Sequence, residues 1–258
     1  MSTPVKNRTY DSPLLGGHKL NPRASLRLFC FPYGGATARA YRNWMQTLAP
    51  KIDVCGIQLP GRGNRLREPP LKKMSLVVET VGKEIVPLLD RPYAFFGHSM
   101  GAIMAFEVAR LLRRGAQQAP THLFVSGHRA PQLPKTEPFT YNLPDAEFIR
   151  ELQRLNGTPV EVLDHPDMMA VMLPLLRADF ESIETYAYQH EPPLDCPITA
   201  LGGLLDPDTS RETLEPWREQ TTAAFELQMF PGDHFFLHAD QARVLRVIAQ
   251  AARVSHSA

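Results

Sequence analysis

The sequence predicts an α/β fold, a mostly parallel central sheet flanked by helices, on three observations. Short apolar runs alternate with helical stretches through the first half of the chain, the pattern of strands joined by helical crossovers. A tight turn, Gly97-His98-Ser99-Met100-Gly101, joins one of those runs directly to a helix. After a helical interruption, two late strand-like runs each open into a loop that carries an acid or a histidine. The 258 residues suit one such domain with a modest insertion and argue against a second full one.

The elements follow in order. Residues 1–24 mix proline, glycine and polar side chains without periodicity and are expected to be a loosely ordered lead-in to a domain over 25–258. Leu26–Phe31 is the first buried strand; it ends at Pro32-Tyr33-Gly34-Gly35, and an amphipathic helix over Arg39–Leu48 comes next. Asp53–Leu59 is the second strand, closed by Pro60-Gly61-Arg62-Gly63. A helix over Leu76–Leu89 leads to the strand Tyr93–Phe96, the Gly97–Gly101 turn and the helix Ala102–Leu112, and His122–Ser126 is another strand. The alternation then stops. Residues 141–190 are helical in period, with Leu143-Pro144-Asp145 starting a helix whose stripe is Phe148, Leu152 and Leu155. Met168–Tyr188 reads as a second helical region broken near Pro174. An insertion of this kind between strands is expected to form a lid over a site. Strands resume at Pro197–Leu201 and Phe225–Phe230, and a helix over Asp240–Val254 ends the chain.

Composition excludes several classes. A net charge of +1 spread along the chain offers nucleic acid no basic face. The N-terminus is polar, and no later stretch approaches the length of a membrane span, so a cytoplasmic protein is expected. Cys30, Cys55 and Cys196 lie in or beside apolar runs without metal-ligand spacing, which predicts buried thiols in a reducing compartment.

The chemistry starts at Ser99. A strand, a Gly-x-Ser-x-Gly turn and a helix in unbroken order form a nucleophile elbow, in which the glycines admit a turn too tight for a Cβ and the helix N-terminus faces the developing oxyanion. A serine hydroxyl needs a base, and the base needs an acid to set its tautomer. In the α/β-hydrolase fold the chain order is serine, acid, histidine, with the last two on loops after late strands. Asp206, in Gly202-Gly203-Leu204-Leu205-Asp206-Pro207-Asp208, is the candidate acid, and Asp208 is the alternative. His234, in Pro231-Gly232-Asp233-His234, is the candidate base. His238 lies one helical turn away but no third metal ligand accompanies the pair, so it reads as a helix-surface residue. His98 adjoins the serine, yet neighbours in a tight turn point apart, and its expected role is support of the elbow. His122, His128, His165 and His190 carry no motif. For the oxyanion, Met100 supplies one backbone N–H and Gly34, in the loop after the first strand, is the choice for the second.

These stretches together resemble the type II thioesterases, stand-alone α/β-hydrolases that accompany polyketide synthases and nonribosomal peptide synthetases. The resemblance runs from about Leu26 to Ala251 and rests on Phe29–Gly35, Leu59–Arg65, Phe96–Ala102, Gly203–Pro207 and Phe230–Phe236. Where the family usually has Ala-Gly-Gly after the first strand, this chain has Gly34-Gly35-Ala36. The resemblance implies hydrolysis of acyl thioesters on the phosphopantetheine arm of acyl or peptidyl carrier domains, by a monomer that needs no metal or dissociable cofactor. An esterase or acyltransferase, a product-releasing thioesterase and a catalytically silent synthase-binding partner are the rival readings. Two further expectations attach to surfaces. Met168, Met169, Met172, Leu173, Leu175 and Leu176 either line an acyl pocket or form plain core. Arg62, Arg65, Arg67, Lys72 and Lys73 either steer an acidic carrier domain or simply face water.

Overall fold

The first strand, β1 (Leu26–Phe31), is buried along its length, and its alternate side chains serve opposite faces of the sheet. Leu26, Leu28 and Cys30 join a cluster with Trp44, Val244 and Ile248, whereas Phe29 and Phe31 join one with Val81, Ile103 and Phe106. A strand buried on both faces needs helices on both sides, and the computed structural model, which describes residues 12–135, 137–157, 163 and 165–254, supplies them. The remaining strands are β2 (Ile52–Gly56), β3 (Tyr93–His98), β4 (Leu123–Ser126), β5 (Ile198–Gly203) and β6 (Phe225–Phe230). All pair in parallel in the order β2-β1-β3-β4-β5-β6. The helices are α1 (Arg42–Leu48), α2 (Met74–Ile85), α3 (Met100–Arg114), α4 (Asp145–Leu155), α5 (Pro166–Glu184), α6 (Arg211–Leu214), α7 (Phe236–Ala239) and α8 (Gln241–Val254).

The strand order switches sides between β1 and β3, where the parallel register pairs Phe31 with Gly97. The loops after these two strands therefore emerge side by side at the carboxyl edge, the crevice in which open α/β sheets bind ligands. Helices α4 and α5 interrupt the alternation between β4 and β5, as the helical period of that stretch predicts. They carry their own small core of Phe148, Leu152, Leu163, Met169 and Leu176, separate from the two cores that sandwich the sheet. Among the described residues, no helix is long and apolar enough to cross a membrane. Cys30, Cys55 and Cys196 are buried and unpaired.

Three sequence expectations are corrected. Residues 12–24 are not a loose lead-in: Leu14 and Leu15 are buried in the core against α2, and the Gln58 N–H donates to the Leu14 carbonyl at 2.6 Å. Apolar burial of two adjacent leucines outweighs the proline and glycine around them; residues 1–11 lie outside the described residues. The second strand ends at Gly56 and not at Leu59, because Gln58 turns its N–H to the Leu14 segment and its side chain to the Arg62 carbonyl. Helix α5 runs unbroken through Pro174, whose exposed side leaves the carbonyl one turn back open to water.

Candidate active site

Gly97 and Gly101 sit where the chain has no room for a side chain. A Cβ on Gly97 would lie 1.9 Å from the Gly101 carbonyl oxygen, and one on Gly101 would lie 2.4 Å from that of Phe31. The turn holds Ser99 at φ 54° and ψ −123°, a left-handed conformation uncommon for a residue with a Cβ. Its N–H donates to the Ser126 carbonyl at 2.7 Å, tying the turn to β4, while its hydroxyl caps nothing in α3. Met100 opens that helix, so its N–H lacks an intrahelical acceptor and lies at the positive end of the dipole.

The loop after β1 comes alongside. Within Gly34-Gly35-Ala36, the Gly35 N–H donates to Asp179 Oδ2 at 2.7 Å and the Ala36 N–H to the Tyr33 carbonyl at 3.0 Å, leaving Gly34 with the uncommitted donor. Gly34, Ser99, Met100 and His234 all line one cavity of about 270 Å³, roofed by Leu152, Leu176 and Phe180 of the inserted helices.

His234 reaches this cavity from the loop after β6. Its Nδ1 lies 2.8 Å from Asp206 Oδ2, and Asp206 also accepts from the Thr209 hydroxyl at 2.6 Å and the Asp208 N–H at 2.9 Å. Burial pushes the Asp206 carboxyl up, but the His234 hydrogen bond and charge, with the Thr209 and Asp208 donors, outweigh it and hold the carboxyl below its usual range. An ionised Asp206 accepts a hydrogen bond from the Nδ1–H of His234 and so leaves Nε2 as the ring nitrogen free to accept. Asp208 does not compete, since both its oxygens are held at 3.0 Å by Arg154 of α4.

The other histidines separate by environment. His98 is fully buried, with Nδ1 2.9 Å from the Ser126 hydroxyl and its ring 4.9 Å from that of His234. Burial, with the neighbouring His234, holds it well below the ordinary histidine value, so a neutral ring packs against His234. His238 is exposed on α7, where its Nε2 meets the Tyr33 hydroxyl at 3.2 Å. His128 lines the cavity, a placement without any motif in the sequence.

The two surface expectations divide residue by residue. Of the methionine and leucine run, Leu176 lines the cavity; Met169, Met172 and Leu173 pack within the inserted helices and Met168 is exposed. The basic run is largely neutralised from within. Arg62 is 3% exposed and paired through both terminal nitrogens with Asp179 at 2.6 and 2.7 Å. Arg65 is 7% exposed between Glu68 and Glu84 at 2.7 and 2.9 Å, and Lys72 pairs with Glu181 at 3.3 Å. The partners lie on α2 and α5, so nothing near Arg62 or Arg65 in the sequence, Glu68 aside, announces them. Asp179, Arg154 and Asn156 are the contact-making residues that motif reading misses, because they sit in helical periods without a pattern of their own.

Comparison with known proteins identifies the family. The thioesterase domain family matches residues 26–251. The gramicidin S biosynthesis protein GrsT of Aneurinibacillus migulanus is 47% identical over 235 residues, 91% of this chain and 92% of its own. RedJ, a thioesterase from the prodiginine biosynthetic pathway of Streptomyces coelicolor, superimposes with a TM-score of 0.84 at 41% identity, covering 88% of this chain and 86% of RedJ. BorB, the type II thioesterase of the borrelidin biosynthetic cluster, gives 0.82 at 35% identity over 89% of this chain and 93% of its own. A family match over most of the chain, with relatives similar over nearly their whole length, establishes that this chain belongs to the thioesterase family of α/β-hydrolases.

Proposed function

We propose that this thioesterase is a stand-alone editing enzyme that removes aberrant or stalled acyl groups from the phosphopantetheine arms of carrier domains in polyketide or nonribosomal peptide synthases. The observation that carries the reading is the His234 Nδ1 to Asp206 Oδ2 hydrogen bond of 2.8 Å on a cavity shared with Ser99. Ser99 Oγ attacks the thioester carbonyl as His234 Nε2 takes its proton, and the N–H groups of Met100 and Gly34 hold the oxyanion. The carbon–sulfur bond breaks, the thiol leaves with the proton from His234, and an acyl-Ser99 ester stands. Water then gives a proton to His234 and attacks that ester, releasing the acid and restoring Ser99. Each step uses groups of this chain and water.

A roofed cavity of about 270 Å³ is too small for a folded carrier domain and suits a thin arm bearing an acyl group, which supports the carrier-bound substrate. Three buried free thiols support a cytoplasmic, reducing compartment. Mass spectrometry of acyl-loaded carrier domains tests the substrate: the acyl mass is expected to disappear with parent enzyme and persist with Ser99→Ala. Cleavage of small pantetheine thioesters with acyl-carriers left intact would overturn it. Ser99→Ala and His234→Ala are each expected to lower turnover on the order of a thousandfold, with the double variant little worse than the poorer single one. Additive losses would mean that the two residues do not work as a unit.

A further inference from the structure

The turn that bears Gly34 runs Tyr33-Gly34-Gly35-Ala36, closed by the Ala36 N–H to Tyr33 carbonyl hydrogen bond of 3.0 Å. Gly35, its third residue, has φ +76°, the left-handed value of a type II turn. Two successive glycines in a turn leave its central peptide free to rotate, since neither contributes a Cβ that would disfavour the flipped form. The hydrogen bonds around the turn must therefore set its conformation. One end of the turn is set by the Ala36 N–H. The central peptide is set from outside, by the Gly35 N–H donating to Asp179 Oδ2 at 2.7 Å.

Asp179 comes from α5 and is 2% exposed. It would be an unfavourable neighbour for a developing oxyanion if its charge stood alone. Arg62, from the loop after β2, answers that charge through two hydrogen bonds of 2.6 and 2.7 Å, and its Nη1 also donates to the Ala36 carbonyl at 3.2 Å. The ion pair thus grips the loop twice, at an N–H through Asp179 and at a carbonyl through Arg62. Both grips fall within two residues of Gly34.

We propose that Arg62 and Asp179 form a positioning clasp for the oxyanion loop, holding the Gly34 N–H toward the charge that develops on the thioester carbonyl. The proposal rests on the reading of Ser99 as nucleophile and Gly34 as donor. Asp179, which lines the cavity beside Gly34, and Arg62 are positioning residues: each acts through its hydrogen bond to the loop. The clasp also joins the inserted helices to the catalytic face, so the Asp179 end of α5 cannot lift away without loosening the loop.

The test compares Asp179→Ala, Asp179→Asn and Ser99→Ala with the parent, using one short acyl thioester of pantetheine and an alkyl boronic acid, which bonds to a serine hydroxyl as a tetrahedral anion. Asp179→Ala is expected to lower kcat about 30- to 100-fold with KM moving less than about threefold, as for loss of a group that acts in the transition state. Boronate affinity should fall in step with kcat/KM, because the adduct and the transition state place the same charge against Gly34. Asp179→Asn keeps an acceptor for the Gly35 N–H but loses the charged grip on Arg62, and an intermediate loss of about tenfold is expected. If the alanine variant does not fold, the asparagine variant decides. A folded Asp179→Ala or Asp179→Asn with kcat within about twofold of the parent, or with kcat lowered and boronate affinity unchanged, would overturn the clasp. Turnover or boronate binding retained by Ser99→Ala would instead overturn the nucleophile reading on which the clasp depends.

Discussion

Arg154, near the end of α4, holds both carboxylate oxygens of Asp208 at 3.0 Å, two residues beyond the carboxylate that binds His234. The pair separates two aspartates that the sequence leaves as alternatives. Asp206 is buried among three donors, whereas Asp208 forms a half-exposed ion pair with an inserted helix. Asp206→Asn is therefore expected to lower kcat on the order of a thousandfold or more, by letting the His234 ring lose its tautomer. Asp208→Asn should stay within about fivefold, as expected of a partly exposed ion pair. Steady-state kinetics on a pantetheine thioester checks the ranking, and the reverse order would transfer the acid's role to Asp208.

The same helix end touches the other late loop. Asn156, at φ 56°, donates to Asp233 Oδ2 at 3.0 Å, next to His234. Helix α4 is thus latched to the Asp206–Asp208 loop and to the Asp233–His234 loop through polar contacts at the surface, while α5 is held by the buried Asp179. Unequal anchoring predicts unequal opening. Hydrogen exchange should be faster in α4 than in α3 and should slow on reaction with an acyl phosphonate, and Arg154→Ala should quicken it in α4 without quickening it at the Asp179 end of α5. Equal protection of α3 and α4 before and after reaction would make the insertion a fixed part of the core.

Charge in the 62–73 loop has a structural consequence. Arg65→Glu would place a carboxylate against Glu68 and Glu84 in a largely buried position. Breaking such a pair costs about 3 kcal/mol, which for a domain of this size lowers the melting temperature by roughly 6 °C. Arg67→Glu with Lys73→Glu, both exposed positions, should leave it within about 2 °C. Differential scanning calorimetry distinguishes these outcomes; a stable Arg65→Glu with weakened turnover of carrier-bound substrate alone would restore the steering role.

Acid sensitivity has an identifiable source. His122 stacks on Phe124 at 4.3 Å and bonds the Thr199 hydroxyl at 2.8 Å, and burial lowers its pKa to about 4. The unfolded chain takes up this proton near the ordinary histidine value and the folded chain only near 4, so the unfolded state holds more protons between the two. Stability from this group is full above about 6.5 and is lost as pH falls toward 4, with a slope of about 1.4 kcal/mol per pH unit. His122→Gln should remove that part of the slope in urea titrations at pH 6.5, 5.5 and 4.5. An unchanged slope would place the sensitivity elsewhere, with His128, also held at about 4 by burial, the next group to replace.

The local signals in this chain were strong where a short segment carries its own physics. The apolar run before Gly97, the two glycines around Ser99 and the helix after it define an elbow without reference to any distant residue, and chain order then points to Asp206 and His234. Helical period likewise marks the insertion at 141–190 and its Phe148 and Leu152 stripe. What the sequence could not decide are contacts whose partners lie far apart along it. Arg62 reads as a free cation until α5 brings Asp179 to it across 117 positions, and Asp208 reads as a possible acid until α4 brings Arg154. Leu14 and Leu15 look like part of a loose tail until the sheet presents an apolar surface for them to cover. Periodicity and turn chemistry act over a few residues and are legible in one dimension, whereas charge pairing and burial depend on which surfaces the fold brings together.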